Sequence, residues 1–135
     1  METEIPVRDI MTRPVITADA ELDILSAAKK MSSANVGSLI IVSGNKPTGI
    51  LTERDLVKKV LAQGIDPRNL KVAEIMSAPV ITADPDWTLK ECSQKMQQNN
   101  IHHMPVVKED GTLLGLISVT DIFMAAEEIG WGRNA

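Results

Sequence analysis

Residues 7–19, VRDIMTRPVITAD, return as residues 72–84, VAEIMSAPVITAD. No other feature of the chain restricts its fold as much. At this offset of 65, 13 of the 39 residues from Val7 to Asn45 match their counterparts, where composition alone gives about two or three. Met31 falls on Met96, Asn35 on Asn100 and Val42 on Val107. An inserted residue near Gly111 then moves the offset to 66, so that Gly49 falls on Gly115, Thr52 on Ser118 and Asp55 on Asp121. Two units of this length do not make a solenoid. They fit a duplicated half-domain whose copies pack about a pseudo-two-fold axis.

Each copy carries the same coarse order of elements. Pro14 and Pro79 disfavour helix and leave the next residues extended. Asp19 and Asp84 are the expected N-caps of helices over 20–33 and 85–98, with Pro85 in the first turn. Leu22, Leu25, Ala28 and Met31 are the expected apolar face of the first. Runs rich in branched residues follow at 38–42 and 103–107, with turns at Ser43–Lys46 and Glu109–Gly111. A second strand ends at Leu51 or Ile117. A last helix begins at Thr52 or Ser118 and stops near Gly64 or Gly130. The unit reads β-α-β-β-α twice: 7–63, a linker at 64–71, and 72–127. A hairpin with two helices leaves one sheet face uncovered. The expected fold is therefore α+β, with two pseudo-two-fold-related repeats packed sheet to sheet in one globule.

Composition narrows the function. The formal charge is −4, and residues 71–135 carry five basic against nine acidic side chains. This argues against a general nucleic-acid binder. Phe123, Trp87 and Trp131 are the aromatic residues, too few for a stacking platform. No run of 18 apolar residues and no apolar N-terminal segment occurs. A single cysteine, Cys92, suits a reducing compartment, so a cytoplasmic location is expected. Neither G-x-x-x-x-G-K-[ST], G-x-G-x-x-G nor G-x-S-x-G occurs, and no catalytic role is expected.

The IM-x-x-PVIT opening, the strand pair and the closing G-h-h-[ST]-x-x-D, each present twice, resemble the CBS domain family, named after cystathionine β-synthase. Two tandem copies form a Bateman module, and the resemblance runs from about Val7 to Ala126. It implies a regulatory module that binds an adenosine-containing ligand between its repeats: AMP, ADP or ATP first, with S-adenosylmethionine or NAD as further options. The closing Asp would hold the ribose hydroxyls. The Ser or Thr three residues earlier, and the residue just before the Asp, would hold phosphate. These are Thr52, Arg54 and Asp55 in one copy and Ser118, Thr120 and Asp121 in the other. The family pocket is also lined by positions matching Thr17 and Thr82, Val36-Gly37-Ser38, and Ile101-His102-His103. Lone modules of the family form two-chain disks, which implies a homodimer, here through helices spanning Leu22–Met31 and Leu89–Met96. Output would pass to an effector protein or through oligomeric state.

The residue types suit these roles. An ionised carboxylate only accepts, which fits a vicinal diol. Helix N-termini favour an anion, and Arg54 can fork two phosphate oxygens. Ile16, Ile81, Val36, Ile101, Ile50 and Leu116 could form an apolar slot for adenine, with Met11 and Met76 at its edge. His103, when protonated, would make affinity pH-sensitive between about pH 6 and 7. Other readings stand beside these. T-x-x-D is close to a capping box. His102 and His103, adjacent on a strand, make a poor metal pair. Lys58 and Lys59 read as a solvated helix face, Cys92 as a packed small residue, and residues 127–135 as a frayed tail. The competing function is a dimerisation scaffold with vestigial clefts.

Overall fold

The branched runs pair as two antiparallel hairpins. The computed structural model describes residues 4–128. In it, β2 (Ser38–Ser43) pairs with β3 (Lys46–Thr52), and β4 (His103–Val107) with β5 (Leu113–Ser118). Gly44, at φ 64, takes the first place of a two-residue turn, which calls for a positive φ there. A two-residue strand, β1 (Thr17–Ala18), adds parallel to β2. Its counterpart in the second copy is a single parallel bridge, Ala83 to Val106.

The chain divides into two compact units, and they do not coincide with the sequence repeats. The first unit is Val15–Val80. The second joins the chain up to Pro14 with the chain from Ile81 onward. Each repeat thus sends its opening segment to the other copy's core. In the first unit Ser77 exchanges two backbone hydrogen bonds with Ile50, at 2.9 and 3.0 Å. In the second unit Thr12 does the same with Leu116, at 2.8 and 3.1 Å. These bonds cover strand edges that would otherwise present unpaired groups. Both crossings pass over a glycine. A Cβ on Gly49 would stand 2.7 Å from Met76 Sδ and 3.0 Å from the Ser77 carbonyl oxygen. One on Gly115 would stand 2.6 Å from Met11 Sδ and 3.1 Å from the Thr12 carbonyl oxygen. The match of Gly49 with Gly115 in the repeat is a matter of room for the crossing backbone.

Helices α1 (Ile24–Ala34) and α4 (Leu89–Asn99) begin four residues later than expected. Asp19 and Asp84 are not their caps. Each accepts from the N–H two residues on, Glu21 or Asp86, at 2.8 Å, and so closes an Asx turn that competes with helix. The caps are Asp23, accepting from the Ser26 N–H at 2.9 Å, and Thr88, in a capping box with Glu91. The buried face of α1 is accordingly Ile24, Ala27 and Met31, not the row through Leu25 and Ala28. Both helices end on asparagine in the left-handed region, Asn35 at φ 56 and Asn100 at φ 53. Asparagine tolerates that conformation better than most residues, which accounts for another match in the repeat.

Each unit has its own core. In the first, Ile24, Ala27 and Met31 pack with Leu39, Ile41, Leu51, Val60, Val72 and Ile75. In the second, Leu89, Cys92 and Met96 pack with Met104, Val106, Ile117, Ala125 and Val7. Complete burial of each large side chain contributes about 1.5–3 kcal/mol. The buried faces of α1 and α4 are used inside the units, while Leu25 and Ala28, on the row expected to join two chains, are half-buried.

The closing helices differ. In the second unit α5 (Val119–Glu128) is regular. In the first, α2 (Glu53–Leu56) runs on as a π-helical turn, Val57–Leu61, before Gly64 at φ 66. Between half-buried Leu56 and buried Val60 lie three residues, where Ile122 and Ala125 enclose two. The π turn takes up one residue that α5 lacks. Gly130 and Trp131 lie outside the described residues. Val72–Ile75 forms a short helix, α3, in the first unit.

Candidate functional site

The closing T-x-x-D and S-x-x-D motifs do act as caps. The Thr52 N–H donates to Asp55 Oδ2 at 2.9 Å, and the Asp55 N–H donates to Thr52 Oγ1 at 3.2 Å. The Thr52 hydroxyl also donates to Asp55 Oδ2, at 3.2 Å. In the second unit the Ser118 N–H donates to Asp121 Oδ2 at 2.9 Å, and the Asp121 N–H to Ser118 Oγ at 3.1 Å. One carboxylate oxygen of each Asp is thus engaged at the helix start.

Strand pairing brings Ser38 and His103 beside these caps and sets the other strand residues further along the same sheets. In the first unit Ser38 pairs with Thr52, and the Glu53 N–H donates to the Gly37 carbonyl at 3.0 Å. Thr17 pairs with Ile40, which pairs with Ile50. The Thr17 carbonyl accepts from Lys30. In the second unit His103 pairs with Ser118, the Val119 N–H donates to the His102 carbonyl at 3.0 Å, and Leu116 pairs with Pro105. Thr82 precedes Ala83, which bridges to Val106. Each set of eight candidate residues therefore falls within one unit: Thr17, Val36, Gly37, Ser38, Ile50, Thr52, Arg54 and Asp55 in the first, and Thr82, Ile101, His102, His103, Leu116, Ser118, Thr120 and Asp121 in the second. Arg54, Thr120 and His102 are exposed, and Ser38 is buried.

The apolar slot is less uniform than the sequence suggests. Val36 and Ile16 pack on the first core and Ile101 on the second. Ile50 and Leu116 are half-buried, and Ile81 is exposed. Met76 and Met11 lie over Gly49 and Gly115. A hollow of about 400 Å³ in the first unit is lined by α1, the Asn35–Gly37 turn, Glu53 and Leu56. Of the candidate residues Val36 and Gly37 line it, and Thr52, Arg54 and Asp55 do not.

Two side chains depart from expectation. Burial and the neighbouring His102 push the His103 pKa below its ordinary value, against a smaller opposing pull from Asp121. The window for its protonation therefore moves to the acid side of the range expected from the sequence. Lys59 is not simply a solvated lysine. Its Nζ lies 3.2 Å from Asp55 Oδ1 and donates to the Ile75 carbonyl at 3.0 Å. The i,i+4 spacing of Asp55 and Lys59 was the signal in the sequence. Cys92 is fully buried against Met104, and burial pushes its thiol pKa up to about 11, so it is inert packing. Among the described residues no group of three His, Cys, Asp or Glu side chains could hold a metal ion. No helix there is long and apolar enough to cross a membrane.

Comparison with known proteins gives a consistent picture. MK0525 of Methanopyrus kandleri is 37% identical over 119 residues, covering 87% of this chain and 61% of that protein. The hexameric CBS-CP12 protein from bloom-forming cyanobacteria superposes with a TM-score of 0.82 at 35% identity, covering 88% of this chain and 66% of that one. The chain spans less than two thirds of the length of either. The CBS domain pair of protein MJ0100, solved with 5′-methylthioadenosine and S-adenosyl-L-methionine, superposes with a TM-score of 0.79 at 35% identity, covering 95% and 97% of the two chains. The sequence profile of the CBS domain matches residues 7–62 and again residues 72–128, and on that double match the chain belongs to the CBS domain family.

Proposed function

We propose that this chain is a regulatory module that binds an adenosine-containing ligand and transmits its presence by a change of conformation. The observation that carries the reading is the twofold closing motif. Each Asp is fixed by its cap through Oδ2, so a ribose diol would meet Oδ1, which in the first unit also faces Lys59. Cap and ligand contact are thus compatible, since one oxygen orients the carboxylate for the other. The ligands of the MJ0100 domain pair support an adenosine moiety. Exposed Arg54 beside Thr52 supports a phosphorylated ligand in the first unit. The second unit offers Thr120 and a largely neutral His103 instead, which suits AMP or an uncharged 5′ group better than ATP. Ligand must favour one arrangement of the chain for any signal to pass. The receiver is a separate effector or a second copy of the chain. For self-association the exposed apolar side chains include Val57 and Leu61 in the first unit, with Val119, Phe123 and Met124 on α5.

The test is thermal unfolding with AMP, ADP, ATP, S-adenosylmethionine, 5′-methylthioadenosine, NAD and GTP, on the wild type and on Asp55→Ala and Asp121→Ala. At 100 times its Kd a ligand stabilises the fold by about 2.7 kcal/mol. A shift with adenosine compounds but not GTP, lost in an Asp variant, is the expected result. No shift with any compound would favour the scaffold reading, in which the T-x-x-D motifs are caps alone.

A further inference from the structure

The two closing carboxylates, matched in the repeat, are not in the same state. Asp121 has Oδ2 engaged by the Ser118 N–H, and α5, reading VTDIFMAAEE, carries no basic side chain to meet Oδ1. Asp55 has Oδ2 engaged by Thr52 and Oδ1 facing the Lys59 ammonium at 3.2 Å. Asp55 is the more confined partner, its side chain 12% exposed against 46% for Lys59. Lys59 is held from a second side by the Ile75 carbonyl, which belongs to the segment crossing from the other repeat. The lysine lies within the π turn that accommodates the extra residue of this helix.

We infer that Lys59 is a latch on Asp55, competing with the ribose hydroxyls for Oδ1, so that the two half-sites fill unequally and the Asp121 half-site fills first. This rests on the adenosine reading given above. A diol needs a carboxylate oxygen to accept its O–H donors, and in the first unit the ammonium must be displaced before Oδ1 is available. In the second unit α5 sets no ammonium against the carboxylate, and the nearby His103 favours its neutral form. An ion pair of this exposure is worth up to about 1 kcal/mol, or about fivefold in affinity. The latch also places the ligand next to the crossing segment, because one ammonium holds both the Asp55 carboxylate and the Ile75 carbonyl.

The probe is 5′-methylthioadenosine, which carries no phosphate for Lys59 to attract. Its binding to the full chain is measured by calorimetry in four forms: wild type, Lys59→Met, Asp121→Ala, and Asp121→Ala with Lys59→Met. The wild type should show a tighter and a weaker site, and Asp121→Ala should remove the tighter one. Adding Lys59→Met to Asp121→Ala should then tighten the remaining site about fivefold. Asp121→Asn, which retains an oxygen for the cap, replaces Asp121→Ala if the latter does not fold. Two equal sites in the wild type, or a remaining site indifferent to Lys59→Met, would overturn the latch and leave the adenosine reading intact. Absence of binding in every form would sink the adenosine reading, and the latch with it.

Discussion

The two units show how a duplicated frame can hold steady while its chemistry drifts. Core positions correspond closely: Met31 with Met96, Leu39 with Met104, Ile41 with Val106, and Leu51 with Ile117 are buried in both. The left-handed asparagines and the closing caps correspond as well. The differences gather beside the closing caps. Gly37-Ser38 stands where the second unit has His102-His103, and Arg54 where it has Thr120. Lys59 reaches Asp55, and α5 offers nothing equivalent. Packing demands volume and backbone room, which both copies must meet. Most residues there are exposed, Gly37, Arg54, His102 and Thr120 among them, so they are where one copy can become unlike the other.

The strongest way to break the comparison is through the glycines that both copies share. Gly115→Val and Gly49→Val each place a branched side chain where a methionine and a crossing backbone already stand. Overpacking of this kind costs about 3 kcal/mol, and the urea midpoint should fall by a similar amount in both. Gly37→Ala is the control, because there the Cβ meets only the flexible end of Glu53. If either valine variant unfolds at the wild-type midpoint, the crossing segment does not press on that glycine.

These glycines also show what could be read in advance. The repeat and its β-α-β-β-α order were visible because they rest on local pattern, in branched runs, turn residues and T-x-x-D caps. The choice of Asp23 over Asp19 as cap was not visible, since both are aspartates before an apolar row and only the Asx turn at Glu21 separates them. The exchange of opening segments was also hidden. Strand edges at Ile50 and Leu116 accept Ser77 and Thr12 from far along the chain, and local sequence does not say which partner covers an edge. The candidate residues fall into two sets, one in each unit. Lys59 escaped because an i,i+4 pair is ordinary on any helix surface.

A smaller effect separates the half-sites by pH. Burial and His102 hold His103 below its ordinary pKa of 6.5, so the folded chain favours the neutral ring. The stability this gives is complete above the unfolded value and is lost as the pH falls below it. A phosphate beside His103 reverses the preference, so affinity for AMP in the second unit should rise by up to about tenfold for each pKa unit recovered as the pH drops from 7 toward 5. His103→Gln should remove the rise, and the uncharged 5′-methylthioadenosine should not show it. The charge of Asp121 pulls the His103 pKa upward, so Asp121→Asn should lower it further. An AMP affinity that rises equally in His103→Gln would place the proton elsewhere.

The least of these differences lies at the starts of α1 and α4, which are capped by different chemistry. Asp23 caps α1 as an ion, and its hydrogen bonds from Ser26 lower its pKa from the ordinary 3.8. Thr88 caps α4 as a hydroxyl, with the Thr88 N–H donating to Glu91 at 2.9 Å. A carboxylate whose folded pKa is depressed gives stability that is present above the unfolded value and lost as the pH falls through the folded one. The cap of α1 should therefore weaken below about pH 4, while the hydroxyl of Thr88 has no proton to gain there. Thr88→Ala should cost about 1 kcal/mol at neutral pH. Asp23→Asn should be nearly silent at neutral pH, because asparagine caps as well as aspartate does, and should flatten part of the acid limb of the stability curve. Amide exchange read at Ser26 and Glu91 would separate the two ends. Protection lost at Ser26 first on acidification is the expected order, and simultaneous loss would mean that the units unfold together before either cap is tested.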